Sequence, residues 1–104
     1  MGFHGVSAYT ASKHAVIGMM RSASIEAAPV NVRVNAIAPG FIVTEQSARS
    51  RQDPEHVKNV AARTPLGRWG EPGDITGTAL FLASDAARFI TGTCIPVDGG
   101  YSVV

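Results

Sequence analysis

Apolar side chains recur through Ala8, Ala11, Ala15, Val16, Met19, Met20, Ala23 and Ala27, with Ile17 and Ile25 beside them. That spacing predicts an amphipathic helix. Ser7 reads as its N-cap, and the helix ends near Ala28 because a residue before proline, here Pro29, is pushed out of the α region. The apolar band is wider than one core-facing stripe, so a second covering surface is implied. Asn31–Ala38 then alternates with β-branched residues and reads as a strand closed by Pro39-Gly40. From Glu45 to Arg63 the chain is polar, with charges of both signs. It reads as solvated surface with a short helix after Asp53-Pro54, aspartate as cap and proline at the first position. A glycine- and proline-rich connector holds Trp69, an anchor or interface residue. A helix follows from Pro72 to about Ala83, with Ile75, Ala79, Leu80, Leu82 and Ala83 as apolar members. Ser84-Asp85 ends it. Thr93–Val97 reads as a final strand, with Pro96 marking an edge or strand end, and Asp98-Gly99-Gly100 as a tight structural turn.

These elements predict an α/β chain whose two strands run parallel and are joined by a right-handed crossover. Parallel sheets are normally buried on both faces. The helices that cover the second face in such folds are not among these elements.

Composition narrows the function. Of the residues, 45% are hydrophobic and 16% charged, which belongs to a globular chain. Nine basic against eight acidic residues leave a net charge of +1 with no basic block, which argues against a nucleic-acid surface. Cys94 is the single cysteine, so no internal disulfide forms and a cytoplasmic location is expected. No apolar run approaches the roughly 18 residues of a membrane span, and residues 1–5 have no secretory-signal pattern.

The candidate chemistry begins at Tyr9-Thr10-Ala11-Ser12-Lys13. At i and i+4 on a helix, the Lys13 ammonium and the Tyr9 phenol share one face. A free tyrosine titrates at about pH 10; a neighbouring cation and the positive end of a helix dipole both favour the phenolate. The phenol becomes suited to general acid/base work. Read alone, the same spacing also describes an ordinary exposed pair. The second candidate is the turn after the first strand, because ligands in open α/β sheets bind beyond the carboxyl ends of strands. There Gly40 lacks a Cβ that would keep a flat ring from the backbone, and Thr44 offers a hydroxyl. His4, His14 and His56 have no metal-ligand spacing with each other or with Cys94 and read as scattered, mostly solvated histidines. There is no G-x-S-x-G elbow, P-loop or G-x-G-x-x-G.

Tyr9 and Lys13, then Arg33–Thr44, Gly70-Glu71-Pro72 and Val97–Gly100 occur in an order and at separations that resemble a classical short-chain dehydrogenase/reductase over nearly the whole chain. The resemblance implies the C-terminal half of a Rossmann-like, doubly wound α/β domain: long helix, strand, short helix, helix, parallel strand. Residues 1–104 would be an incomplete single domain without the N-terminal nucleotide-binding half. It implies an NAD- or NADP-dependent oxidoreductase acting on a small carbonyl or alcohol. Tyr9 would be the acid/base, and Lys13 its activator and ribose contact. Pro39, Gly40, Ile42 and Thr44 would form the nicotinamide side. The polar Glu45–Arg63 segment corresponds to the family's substrate-covering loop, and the long helix and the last helix and strand to its oligomer surfaces. The family's catalytic serine, upstream asparagines and glycine-rich turn have no counterpart here. A noncatalytic fragment, or an interaction module that pairs with a full-length relative, therefore stands as the alternative.

Overall fold

The structure, a computed structural model, describes residues 6–103, with the side chains of Val6, Ser7 and Tyr9 outside the described set. The chain forms two compact units, one of residues up to Ala36 with Arg88–Cys94, the other of Ile37–Ala87 with Ile95 onward.

In the first unit, helix α1 spans Val6–Ala27. Ser7 therefore lies inside its first turn instead of capping it. The α-helix ends at Ala27, before Pro29 as expected, and Ala28–Val30 add a 3-10 turn in which the missing Pro29 N–H costs no helical bond. The exit is made by Asn31, in the left-handed region at φ 60° and ψ 38°, with its N–H donating to Ala28 O at 2.9 Å. Asparagine tolerates that conformation better than most residues. Among the described residues of α1 one stripe is covered: Met20 and Ser24 are buried, with Ile17, Ala23 and Ala27 half-buried. Gly92, at φ 73°, meets this stripe so closely that a Cβ there would stand 2.9 Å from Ser24 Oγ. The remainder of the apolar band is open, with Val16 60% and Ile25 75% exposed.

The predicted strand over 31–38 is shorter than its alternation suggests. Strand β1 is Ala36–Pro39 and pairs with β2, Cys94–Val97. Ala36 N–H donates to Thr93 O at 2.9 Å and Gly40 N–H to Val97 O at 3.0 Å, a constant offset that makes the pair parallel. Ahead of β1, side chains take over part of the ladder. Asn35 donates from Nδ2 to Ile90 O (3.0 Å) and accepts the Thr93 N–H on Oδ1 (3.1 Å). Val34 N–H donates to Thr91 Oγ1 at 3.1 Å. Pro96 is exposed on β2, as a residue without a ladder donor requires.

The second unit carries helices α2, Pro54–Arg63, and α3, Pro72–Ala83. Both begin where the sequence predicts. Asp53 accepts the Glu55 N–H at 3.0 Å with Pro54 at the first position. At α3 the Glu71 N–H donates to Asp74 Oδ2 at 2.7 Å, and Arg68 pairs with both Asp74 oxygens at 2.8 and 3.1 Å. Trp69, 8% exposed, anchors the connector by donating Nε1–H to Val57 O at 3.0 Å. Its ring meets Phe41 (5.5 Å between centroids) and His56 (5.8 Å) edge-on, and Tyr101 closes on Phe41 at 5.2 Å. His56 is thus a half-buried member of an aromatic cluster and not a solvated histidine. Among the described residues no large side chain is fully buried, and no helix is long and apolar enough to cross a membrane.

Candidate active-site elements

Beyond β1 the chain touches the connector once more. Ile42 forms a single parallel bridge with Gly70: Gly70 N–H donates to Phe41 O and Val43 N–H to Gly70 O, each at 2.8 Å. In a parallel bridge the central residue's own N–H and C=O face away from its partner strand. The Ile42 carbonyl accepts the Ser47 hydroxyl at 2.8 Å. Its N–H has no partner among the described residues. Two residues on, Thr44 Oγ1 accepts the Ser47 N–H at 3.3 Å. The Thr44 hydroxyl proton likewise has no partner among the described residues.

Ile42 and Thr44 are among the residues that line a groove of about 870 Å³ within the second unit. Pro39, Gly40, Ile42 and Thr44, all four loop residues named from the sequence, line it. Its apolar wall comes from Phe41, Trp69, Ile75, Ala79 and Leu80, and hydroxyls of Ser47, Ser50 and Thr76 lie along it. Gly40 also carries a packing constraint that the sequence did not suggest. A Cβ at residue 40 would stand 2.7 Å from Asp98 Cβ and 2.8 Å from Asp98 Cα, so the close approach that requires glycine is to the β2 end. Gly70 is similarly constrained: its Cβ would fall 2.5 Å from Ile42 Cδ1.

A smaller cavity of about 170 Å³ lies beside Phe41, Ile42, Arg68, Asp74 and Asp98. Its charged groups are already paired. The Arg68 guanidinium and the Glu71 N–H hold the Asp74 carboxyl down at a pKa of about 2. Asp98 is held below the usual carboxylate range by bonds from Ser102 and the Gly100 N–H. It accepts Gly100 N–H at 3.0 Å and Ser102 N–H at 3.1 Å, locking a turn in which Gly99 (φ 64°) and Gly100 (φ 91°) need left-handed backbone. Asp98-Gly99-Gly100 is thus the structural turn expected from its sequence.

The other two predicted site residues are on α1 in the first unit. Lys13 is exposed on that helix. Tyr9 is one turn before it on the same element, and its side chain lies outside the described residues. His14, next to Lys13, donates its Nδ1–H to Thr10 O at 2.9 Å. Among the described residues no group of three His, Cys, Asp or Glu side chains could hold a metal ion. Sequence reasoning passed over Phe41, Ser47 and Arg51. The one available sign was Thr44-x-x-Ser47, a spacing at which hydroxyls cap a turn.

The groove lies past the carboxyl end of a parallel strand, the position at which ligands bind in open α/β sheets. Comparison with known proteins narrows this. A family model described as enoyl-(acyl carrier protein) reductase matches residues 1–102, and the chain belongs to the short-chain dehydrogenase/reductase family, whose members are oxidoreductases. It is 48% identical over 96 residues to 2-dehydro-3-deoxy-D-gluconate 5-dehydrogenase of Bacillus subtilis, covering 92% of this chain and 38% of that protein. It is 48% identical over 97 residues to galactitol 2-dehydrogenase (L-tagatose-forming) of Cereibacter sphaeroides, covering 93% and 38%. Among solved structures, a protein assigned as an NAD(P)-dependent gluconate 5-dehydrogenase from Beutenbergia cavernae, with bound NADP, superposes with a TM-score of 0.91 at 47% identity, over 100% of this chain and 42% of that one. A 4-hydroxyisoleucine dehydrogenase complexed with NADH gives 0.89 at 39% identity, over 94% and 40%. The chain therefore spans about two fifths of the length of these relatives.

Proposed function

We propose that residues 1–104 are the C-terminal segment of a short-chain dehydrogenase/reductase domain, supplying the proton-transfer residues and the nicotinamide side of an NAD- or NADP-dependent carbonyl/alcohol oxidoreductase. One observation carries the reading: the four loop residues singled out by sequence line one groove, and two of them, Ile42 and Thr44, carry donors without partners among the described residues. An apolar slot with an N–H and an O–H at its edge suits a flat ring bearing a carboxamide. The relatives whose structures hold NADP or NADH support the same class of cofactor.

A nicotinamide held here would supply the hydride chemistry of the reaction. Pro39, Gly40 and Ile42 would give its ring an apolar seat, and Ile42 N–H and Thr44 Oγ1–H would be the donors available to its carboxamide. Tyr9 passes a proton to the substrate oxygen in reduction and takes it back in oxidation. Lys13, one turn further along α1, would favour the phenolate by its charge and would be the contact to the ribose. The single cysteine suits the reducing cytoplasm, and the open apolar bands of α1 and α3 suit burial against further copies of such a chain.

The test is methyl and amide NMR of the purified chain titrated with NADH and NADPH. Shifts centred on the Ile42 methyls and the Thr44 amide are expected. Shifts confined to surfaces away from residues 39–44, or none at all, would overturn the nicotinamide assignment.

A further inference from the structure

The loop that borders the groove is gripped from the segment that follows it. Ser47 is half-buried, and its hydroxyl uses its whole hydrogen-bonding capacity: one proton and two lone pairs. It donates to Ile42 O at 2.8 Å, with Thr44 O a second, longer acceptor at 3.1 Å, and it accepts the Thr44 N–H and the Arg51 Nε–H, both at 3.0 Å. Arg51 then donates from Nη2 to Thr44 O at 2.9 Å. Two side chains thus hold the Ile42 carbonyl and both backbone groups of Thr44. The Ser47 N–H occupies a lone pair of the Thr44 hydroxyl, which sets that side chain's rotamer and leaves its proton for another acceptor.

We infer that Ser47 and Arg51 are a positioning pair for Ile42–Thr44, holding the Ile42 N–H and the Thr44 hydroxyl in register for a planar amide. The inference rests on the nicotinamide reading of this loop. Neither side chain needs to touch the cofactor. Their effect is to make one backbone conformation of residues 42–44 dominant before binding, so that less ordering is left for the ligand to impose. Removing the Ser47 hydroxyl frees Ile42 O, Thr44 N–H and Arg51 Nε at once. On this open surface water can satisfy all three, so the fold survives while the loop loses its single conformation. Arginine is needed for its fork: Nε and Nη2 reach different acceptors, which a lysine ammonium does not reproduce.

The experiment uses the chain of residues 1–104 with Ser47→Ala, Ser47→Thr, Arg51→Lys and Arg51→Ala, each titrated with NADH by NMR, alongside amide exchange at Thr44 and a thermal melt. Ser47→Ala should bind about tenfold more weakly, with faster Thr44 exchange and an unchanged melt. Ser47→Thr, which keeps the hydroxyl, should restore binding. Arg51→Lys should fall between wild type and Arg51→Ala, a reading that does not depend on the Ser47 variants. Faster Thr44 exchange with undiminished NADH affinity in Ser47→Ala would overturn the pair's role while leaving the groove assignment intact. Wild-type chain that shows no response at Ile42 and Thr44 would overturn both, so the two failures are told apart by which protein shows them.

Discussion

Gly40 and Gly18 lack the same methyl group with opposite consequences. A Cβ at residue 40 would strike Asp98 Cα and Cβ at under 3 Å, whereas at residue 18, inside α1, nothing lies within 4 Å. Gly40→Ala should destabilise by about 1–3 kcal/mol as an overpacking change. Gly18→Ala should stabilise by about 0.5–1 kcal/mol through helix propensity. Denaturant midpoints of the two variants check this; shifts of the same sign would mean that Asp98 yields easily. Asp74 gives a pH prediction. Its carboxyl is depressed from 3.8 to about 2, chiefly by the Arg68 bond and then by the Glu71 N–H. A depressed carboxylate stabilises the fold above its unfolded pKa and ceases to do so as pH falls through the folded value. The melting midpoint should therefore drop between about pH 4 and pH 2, less steeply in Asp74→Asn. An Asp74 carboxyl that titrates by NMR at its ordinary value would contradict it. Both residues were partly legible: Asp74 stands three places after Glu71 at a helix start, but nothing in the one-dimensional pattern pairs Gly40 with Asp98.

At the scale of elements, helix starts were legible and strand extent was not. Asp53-Pro54 and Glu71-Pro72 act within a few residues, so their chemistry is local and can be read directly. The alternation over 31–38 is equally real, yet it does not say which backbone will answer it. Asn31 turns left-handed, and the Asn35 amide and Thr91 hydroxyl do part of a ladder's work, so regular pairing begins only at Ala36. Trp69 binds elements together. Its indole N–H holds the Val57 carbonyl of α2, and its ring packs on Phe41 beside the groove. Trp69→Ala should cost about 3–5 kcal/mol and abolish cooperative melting of the second unit, seen as loss of the near-ultraviolet dichroism of Tyr101. Trp69→Phe should retain the packing and lose only the hydrogen bond, about 1 kcal/mol.

For the whole molecule, the decisive contrast is between apolar surface offered and apolar surface covered. Val16, Met19, Ile25, Leu80 and Phe81 are all exposed, although their spacing belongs to faces that bury. The chain spans two fifths of its relatives, and on our reading the glycine-rich nucleotide half belongs to the same domain. Co-refolding residues 1–104 with the N-terminal remainder of the Bacillus subtilis relative should raise the melting temperature and yield NADH- or NADPH-dependent carbonyl reduction that Tyr9→Phe abolishes. Reduction that survives Tyr9→Phe would remove Tyr9 from its assigned role.

By itself the sequence determined the family, the α/β class, the starts of α2 and α3, and the loop to watch at residues 39–44. Each of these depends on neighbours within a turn or two, or on an ordered set of short motifs. Only the tertiary structure decided that Gly40 is required by Asp98, that His56 joins an aromatic cluster, and that Ser47 and Arg51 hold the groove loop. Those facts depend on which backbone lies a few ångströms away and which donor reaches which acceptor, and periodicity along a chain carries no such distances.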